Sequence, residues 1–302
     1  MARQRILITG SNGLLGQKLI AALRDDDGTD LIATSRGEDR STDPLGDRYR
    51  SLDITDKAAV QAVFDEVRPE VVIHTAAMTN VDACELDPGA CHLQNVEATR
   101  HLVEAARELD SHFIFLSTDF IFDGEAGPYR EDDVPAPLSV YGRSKLEGER
   151  LVQESGLPRW AIARTIIVYG TAPGLSRSNV VLWAKQALEK GDPIRVVDDQ
   201  WRMPTLAEDL ADGCVRIARQ GATGTFHLSG PDGMSILELV ERVGAFFGLD
   251  TTMVTPVKSD TLGQPARRPP RTGFVLDKAR RELGYAPHTF EEGLAILRDQ
   301  LV

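Results

Sequence analysis

Tyr141-Gly-Arg-Ser-Lys145 places a phenol and an ammonium four residues apart. On a helix, positions i and i+4 lie on one face, so the two groups reach the same point in space. Upstream, Phe113-Ile-Phe-Leu-Ser117-Thr118 is an apolar run ending in two hydroxyls. A hydroxyl, a phenol and an ammonium brought together make a proton-transfer site. The Tyr-x-x-x-Lys spacing also occurs on many helices as a solvated pair, so alone it carries little weight. A second pattern changes the weighing. Arg5-Ile-Leu-Ile-Thr9 is a short apolar run, followed by Gly10-Ser-Asn-Gly13-Leu-Leu-Gly16 and helical spacing over Leu15 to Leu23. Glycines at a strand-to-helix turn let the backbone pass close to a pyrophosphate, whose charge suits the helix N-terminus. Gly10, Asn12, Gly13, Leu14 and Gly16 are therefore candidate dinucleotide contacts. The spacing is Gly-x-x-Gly-x-x-Gly, not the commoner Gly-x-Gly-x-x-Gly, and a glycine turn with no ligand is the competing reading.

The end of the second strand, Asp30 to Arg36, selects the cofactor. Folds that prefer NAD place a carboxylate there for the ribose 2′-hydroxyl. Here Ser35 and Arg36 stand in that place, and an arginine accommodates a 2′-phosphate. NADPH is the expected cofactor, with NADH the alternative. Further cofactor candidates are Asp53 and Ile54 after a third strand, Thr75, Ala76 and Ala77 after the buried strand Val71 to His74, and Asn95 on a long helix from Ala90 to Leu109. His74 is expected to pack beside the cofactor and His227 to be a satisfied strand residue.

The elements that must hold these groups alternate strand with helix. That rhythm predicts an α/β fold, a doubly wound parallel sheet whose ligand lies at the carboxyl ends of the strands. Residues 1–170 are expected to form a dinucleotide-binding Rossmann domain. Residues 171–302 are expected to be mostly a smaller C-terminal substrate domain, with part of 204–230 returning to the first. Thr205-Leu-Ala-Glu208 and Ser235-Ile-Leu-Glu238 read as capping boxes, and Leu262 to Gly273, with three prolines and three arginines, as a loop. Composition bounds the rest. A net charge of -12 argues against nucleic-acid binding. No apolar run approaches a membrane span, and Met1-Ala-Arg-Gln-Arg5 runs straight into a strand without a separate signal peptide. Cys84, Cys91 and Cys214 lack CxxC spacing, which suggests reduced thiols in a cytoplasmic protein and no metal site.

Taken together, the chain resembles the extended short-chain dehydrogenase/reductases, and among them the dTDP-4-dehydrorhamnose reductase family. The resemblance rests on Gly10-x-x-Gly13-x-x-Gly16, Val81-Asp-Ala-Cys-Glu85, Asn95-Val96, Ser117-Thr-Asp-Phe-Ile-Phe-Asp-Gly124, Tyr129-x-Glu131-x-Asp133 and Val140-Tyr-Gly-Arg-Ser-Lys-Leu-Glu-Gly-Glu149. Beyond these stand Arg164-Thr165, Asp198-Asp-Gln200, Pro204-Thr205 and Phe226-His-Leu-Ser-Gly230. Two strings depart from the family pattern. Arg164-Thr-Ile-Ile-Val-Tyr-Gly170 has Ile167 where the family has a tryptophan, and Asp199-Gln-Trp-Arg-Met-Pro-Thr205 lacks the usual glycine. Both bring the chain nearer to the regulatory beta subunits of methionine adenosyltransferase, which it resembles also at Gly224 to Gly230 and at Leu262 to Pro269.

The resemblance implies reduction of the C4 ketone of a nucleotide-linked deoxysugar. Tyr141 would be the general acid, Lys145 would favour its phenolate and hold the nicotinamide ribose, and Thr118 would hydrogen-bond the carbonyl oxygen. Ser117 ranks behind Thr118, because a strand alternates and one of the pair faces the site. Arg202, Arg268 and Arg271 are candidates for the substrate diphosphate, since guanidinium forks suit phosphate oxygens. Solvated loop arginines are the competing reading. Asn179 is a candidate substrate contact or a helix N-cap. Asp119 either orients the strand end or touches the sugar. A homodimer is compatible with the resemblance. Two other function classes stay open at this point: an NADP-binding regulatory subunit, and a nucleotide-sugar epimerase or dehydratase, against which Arg36 argues mildly.

Overall fold

A computed structural model describes residues 3–41, 43–175 and 178–301. Its first half runs β1 (Gln4–Thr9), α1 (Leu14–Leu23), β2 (Thr29–Ser35), β3 (Tyr49–Ser51), α2 (Lys57–Val67), β4 (Val71–His74), α3 (Val81–Leu86), α4 (Pro88–His92), α5 (Ala98–Glu108), β5 (His112–Thr118), α6 (Val140–Gln153) and β6 (Trp160–Thr165). There follow β7 (Val168–Tyr169), α7 (Val180–Lys190), β8 (Ile194–Val197), β9 (Trp201–Arg202), β10 (Thr205–Leu206), α8 (Ala207–Gln220), β11 (Gly224–His227), β12 (Met234–Ser235), α9 (Ile236–Phe247), β13 (Val254–Val257), α10 (Asp277–Leu283) and α11 (Phe290–Gln300).

Seven strands form one parallel sheet in the order β11-β6-β5-β4-β1-β2-β3. Every residue of β4 and β5 is buried, as a strand covered on both faces requires. Leu19, Ile20 and Leu23 of α1 pack with Leu210, Cys214 and Ile217 of α8 on one face. Val60 and Phe64 of α2, Leu102 of α5 and Val152 of α6 cover the other. A third apolar cluster, around Val181, Leu188, Leu239, Val243, Leu294 and Leu297, ties α7, α9 and α11 together away from the sheet. From the 204–230 stretch, α8 lies on α1 and β11 extends the sheet beside β6. α10 packs against both. The strand order reverses beside β1, and in open α/β sheets a crevice forms at that point.

Two local expectations need correction, and the Ser235 box holds on its Ser235 side. The helix expected from Ala90 to Leu109 is interrupted: α4 ends at His92, and Leu93–Glu97 is a π-turn that leads into α5. The wider turn carries Asn95 to polar partners off the helix, a recurrent use of π-bulges at functional sites. Thr205 does not cap α8, whose N-cap is Leu206 without a side-chain bond. Its hydroxyl donates instead to the Ile166 carbonyl at 2.7 Å, stitching β10 to the end of β6. The reciprocal capping box lies at Thr289 and Glu292, opening α11, while Ser235 caps α9 by accepting from the Glu238 N–H.

Candidate active site and cofactor cleft

The glycine turn shows which of its glycines the chain itself requires. A Cβ on Gly16 would stand 2.3 Å from the Gly10 carbonyl oxygen, so only glycine lets α1 fold back onto the turn. Gly13 is different: a Cβ there would meet only the Gly10 carbonyl oxygen, at 3.2 Å. Gly13 is also the N-cap of α1, with no side-chain cap and no acidic residue in the first turn. The first N–H groups of α1 are left for an anion. Ser11 Oγ, buried at the same turn, has no hydrogen-bond partner among the described residues. An uncapped N-terminus and an orphaned hydroxyl at the glycine turn fit a dinucleotide pyrophosphate. Leu14 lies beside Gly170, and Thr75 donates to the Thr9 carbonyl at 2.6 Å, with Ala76 and Ala77 half-buried behind it.

At the end of β2, Arg36 is exposed, 3.7 Å from the Asp53 carboxylate. Hydrogen bonds from the Thr55 backbone and hydroxyl, ahead of Arg36, hold Asp53 below the usual carboxylate range. Ile54 packs beside the α2 and α5 core. Asn12 accepts from the Arg40 N–H at 2.9 Å and donates to the Glu38 carbonyl at 2.8 Å, pinning the loop after β2 to the glycine turn. Tyr49 clamps the loop further, its hydroxyl donating to the carbonyls of Ser35 at 3.1 Å and Gly37 at 2.7 Å. The pinned loop carries a second exposed cation, Arg40, which the sequence reading missed. Its signal was a second arginine four residues past Arg36 in the same loop.

Ser139 caps α6 by accepting from the Gly142 N–H at 3.1 Å. Gly142 lets the helix seat itself, because a Cβ there would stand 2.2 Å from the Phe120 carbonyl oxygen. Tyr141 and Lys145 are thereby buried on one face of α6. The Lys145 ammonium lies 3.9 Å from the centre of the Phe115 ring. Burial pushes the Tyr141 phenol well up from its ordinary value, opposed by a hydrogen bond with Thr118 and reinforced by the Asp119 charge. Burial pushes Lys145 down to about 7, opposed by the Glu149 carboxylate. In the unfolded chain Lys145 returns to about 10.4. Between those values the unfolded chain holds a proton that the folded chain has released, so stability rises with pH over that window. The Tm of the cofactor-free protein relative to Lys145→Met should climb from pH 7 to pH 9, by roughly 2–4 °C per pH unit at most. Parallel Tm curves for the two proteins would refute this.

Thr118 donates to Asp119 Oδ1 at 3.1 Å and accepts from the Phe120 N–H at 3.2 Å. Ser117 Oγ is buried with no hydrogen-bond partner among the described residues. His74 is bonded at both nitrogens, to Thr9 Oγ1 at 2.7 Å and Thr99 Oγ1 at 3.2 Å, and burial pushes it down to about 3. It is a neutral core residue. His227 stacks on Phe274 and accepts from Arg164, but its Nδ1 has no partner among the described residues, so it is only half satisfied. Asn95 accepts from the Met78 N–H at 2.7 Å and donates to the Met78 carbonyl and to Ser144 Oγ, both at 3.0 Å. It brackets the loop after β4 to α6, next to Lys145.

The substrate candidates separate. Arg202 is 2% exposed; its guanidinium faces Asp119 at 3.7 Å and donates to the Trp201 carbonyl at 2.7 Å. Arg268 forks onto Asp82, at 3.1 and 2.7 Å. Asn179 caps α7 through the Leu182 N–H and donates to the Gly170 carbonyl at 2.7 Å. The polar atoms of these three are committed within the protein. Arg271 is exposed, stacked 5.2 Å over the Trp201 ring, with no ion pair among the described residues. Among the described residues no group of three or more His, Cys, Asp or Glu could hold a metal ion, and no helix is long and apolar enough to cross a membrane.

Residues 4–302 match the family model described as the RmlD substrate binding domain. Over 285 residues, 92% of this chain and 87% of its relative, the sequence is 36% identical to a dTDP-4-dehydrorhamnose reductase from Streptomyces griseus. It is 30% identical over 310 residues, 92% and 90% of the two chains, to methionine adenosyltransferase 2 subunit beta from Pongo abelii. The solved structure of a dTDP-4-dehydrorhamnose reductase from Bacillus anthracis, in complex with NADP, superposes with a TM-score of 0.86 at 28% identity over 99% of each chain.

Proposed function

The chain belongs to the RmlD substrate binding domain family, and from that premise we propose that it reduces the C4 ketone of dTDP-4-dehydrorhamnose in dTDP-L-rhamnose formation. It is an NADPH-dependent oxidoreductase. The observation that carries the reading is the burial of Tyr141 and Lys145 on one face of α6, with Thr118 in hydrogen-bonding reach of the phenol.

NADPH supplies the hydride when bound. Tyr141 donates its phenolic proton to the oxygen of the reduced carbonyl, so that hydride and proton together give the alcohol. Thr118 hydrogen-bonds the same oxygen and stabilises charge as it develops. The Lys145 ammonium favours the phenolate left behind and would hold the nicotinamide ribose. Gly13 and the first turn of α1 would take the pyrophosphate, and Arg36 with Arg40 the 2′-phosphate. Arg271 is our candidate for the substrate diphosphate, because its fork is uncommitted and Trp201 braces it from behind. We assign residues 1–170 to dinucleotide binding and 171–302 mostly to substrate binding, with α8 and β11 returning to the first. Three buried cysteines outside any disulfide support a cytoplasmic location.

Loss of NADPH absorbance on adding dTDP-4-dehydrorhamnose tests the reading. Rapid oxidation is expected. Tight NADPH binding without oxidation of this or other keto-sugars would overturn it. That outcome would favour the second reading, a cofactor-binding regulatory subunit, which the beta-subunit relative and the Trp201-Arg202-Met203 string support. The cofactor assignment has its own check. A charge-assisted contact contributes roughly 1.5–3 kcal/mol, so Arg36→Ala should lower the NADPH over NADH preference in kcat/KM by about 10- to 100-fold. An unchanged ratio would remove Arg36 from the 2′-phosphate site.

A further inference from the structure

Asp119 is buried, with each carboxylate oxygen engaged. Thr118 donates to Oδ1 at 3.1 Å, and Thr272 donates to Oδ2. The Arg202 guanidinium stands 3.7 Å from Oδ2. Thr118 is the preceding residue at the end of β5, while the other two partners arrive from distant parts of the chain: strand β9 and the loop that follows Arg268 and Arg271. Backbone bonds lock the last two together, from the Trp201 N–H to the Pro270 carbonyl at 2.8 Å and from the Thr272 N–H to the Trp201 carbonyl at 3.1 Å. We propose that Asp119 is a positioning residue, which fixes the rotamer of the Thr118 hydroxyl at the reacting oxygen and joins it to the Arg202–Thr272 segment that carries Arg271. This deepens the reductase reading and rests on it.

The physics follows from burial. Burial raises the Asp119 pKa, and the Arg202 charge with the Thr272 and Thr118 hydrogen bonds oppose it, so the carboxylate depends on these donors keeping their places. A threonine hydroxyl has one proton and rotates freely unless held. In the substrate-free site the Asp119 carboxylate holds the Thr118 proton while the remaining lone pair faces Tyr141, and a bound carbonyl oxygen takes that proton in place of Asp119 as charge develops on it. Movement of the Arg271 loop displaces Thr272, and with it the carboxylate that sets Thr118. Substrate seating and the orientation of the catalytic hydroxyl are thereby one mechanical event.

The negative charge has a further consequence. It disfavours the Tyr141 phenolate, so its removal lowers the Tyr141 pKa. In the reductive direction Tyr141 acts protonated, and the basic limb of the kcat profile moves to lower pH.

The test compares Thr272→Val, Thr272→Ser and Asp119→Asn with the parent. Thr272→Val is expected to lower kcat about tenfold with the NADPH KM within twofold of the parent, and Thr272→Ser to restore it. Asp119→Asn is expected to move the basic limb down. Thermal unfolding of both single variants and the Asp119→Asn/Thr272→Val double supplies a readout free of turnover, and their Tm losses are expected to be clearly non-additive. Parent-like kcat and pH profile in folded variants would overturn the proposal. Should the parent reduce no keto-sugar, the reductase reading fails by itself, and additive Tm losses would separately overturn the network around Asp119.

Discussion

Tyr141→Phe is expected to lower kcat by about 10²- to 10⁴-fold, the usual contribution of a positioned general acid. The substitution removes one oxygen and leaves the ring that packs with Cys84 and Cys91 and lies edge-on to Phe120. Packing is therefore preserved and NADPH affinity stays near the parent value. Thr118 loses one partner but keeps Asp119 and the Phe120 N–H. The loss belongs to kcat rather than to KM, because the proton matters only as charge develops on the acceptor oxygen. Single-turnover NADPH oxidation, with cofactor binding followed by fluorescence, separates the two quantities. Retention of more than about a tenth of parent kcat would remove Tyr141 from the acid role.

Arg164→Met is expected to cost about 3–5 kcal/mol of stability. Arg164 and Glu149 form a buried fork at 2.9 and 2.7 Å, with side chains 4% and 1% exposed. Removing the cation strands a carboxylate that water does not reach, and the Glu131 carbonyl loses its Arg164 donor as well. For a chain of this size the Tm should fall by roughly 10 °C, read by circular dichroism. Replacing both partners, as Arg164→Met with Glu149→Leu, should recover most of the loss, because no stranded charge remains. Glu149 lies one helical turn beyond Lys145, on the same face, so the single variant also disturbs the charge that supports the ammonium. A Tm fall below about 3 °C would refute the account.

Much of the site is local in the chain, and that part was legible. The glycine turn declares itself because strand, turn and helix N-terminus are consecutive. Tyr141 and Lys145 share a face because 3.6 residues make a turn. The sheet follows from buried runs alternating with amphipathic ones. The arginines were ranked alike from the sequence, since composition alone cannot distinguish a guanidinium awaiting phosphate from one already engaged. Asp82 claims Arg268 across 186 residues, Asp119 after β5 faces Arg202 of β9, and of the three candidates only Arg271 stays exposed. The same holds for Asn95, whose helical context hid a π-turn that spends its amide on Met78 and Ser144. Asp119 shows the division most clearly. Its sequence neighbours made it a candidate for either orienting the strand end or touching the sugar. The choice between them lay with Arg202 and Thr272, residues brought beside it by the packing of distant segments. Spacing along a helix or strand is set by the backbone and can be read from sequence. Which buried charge finds which partner depends on what the fold brings together, and on the cost of leaving any of them alone.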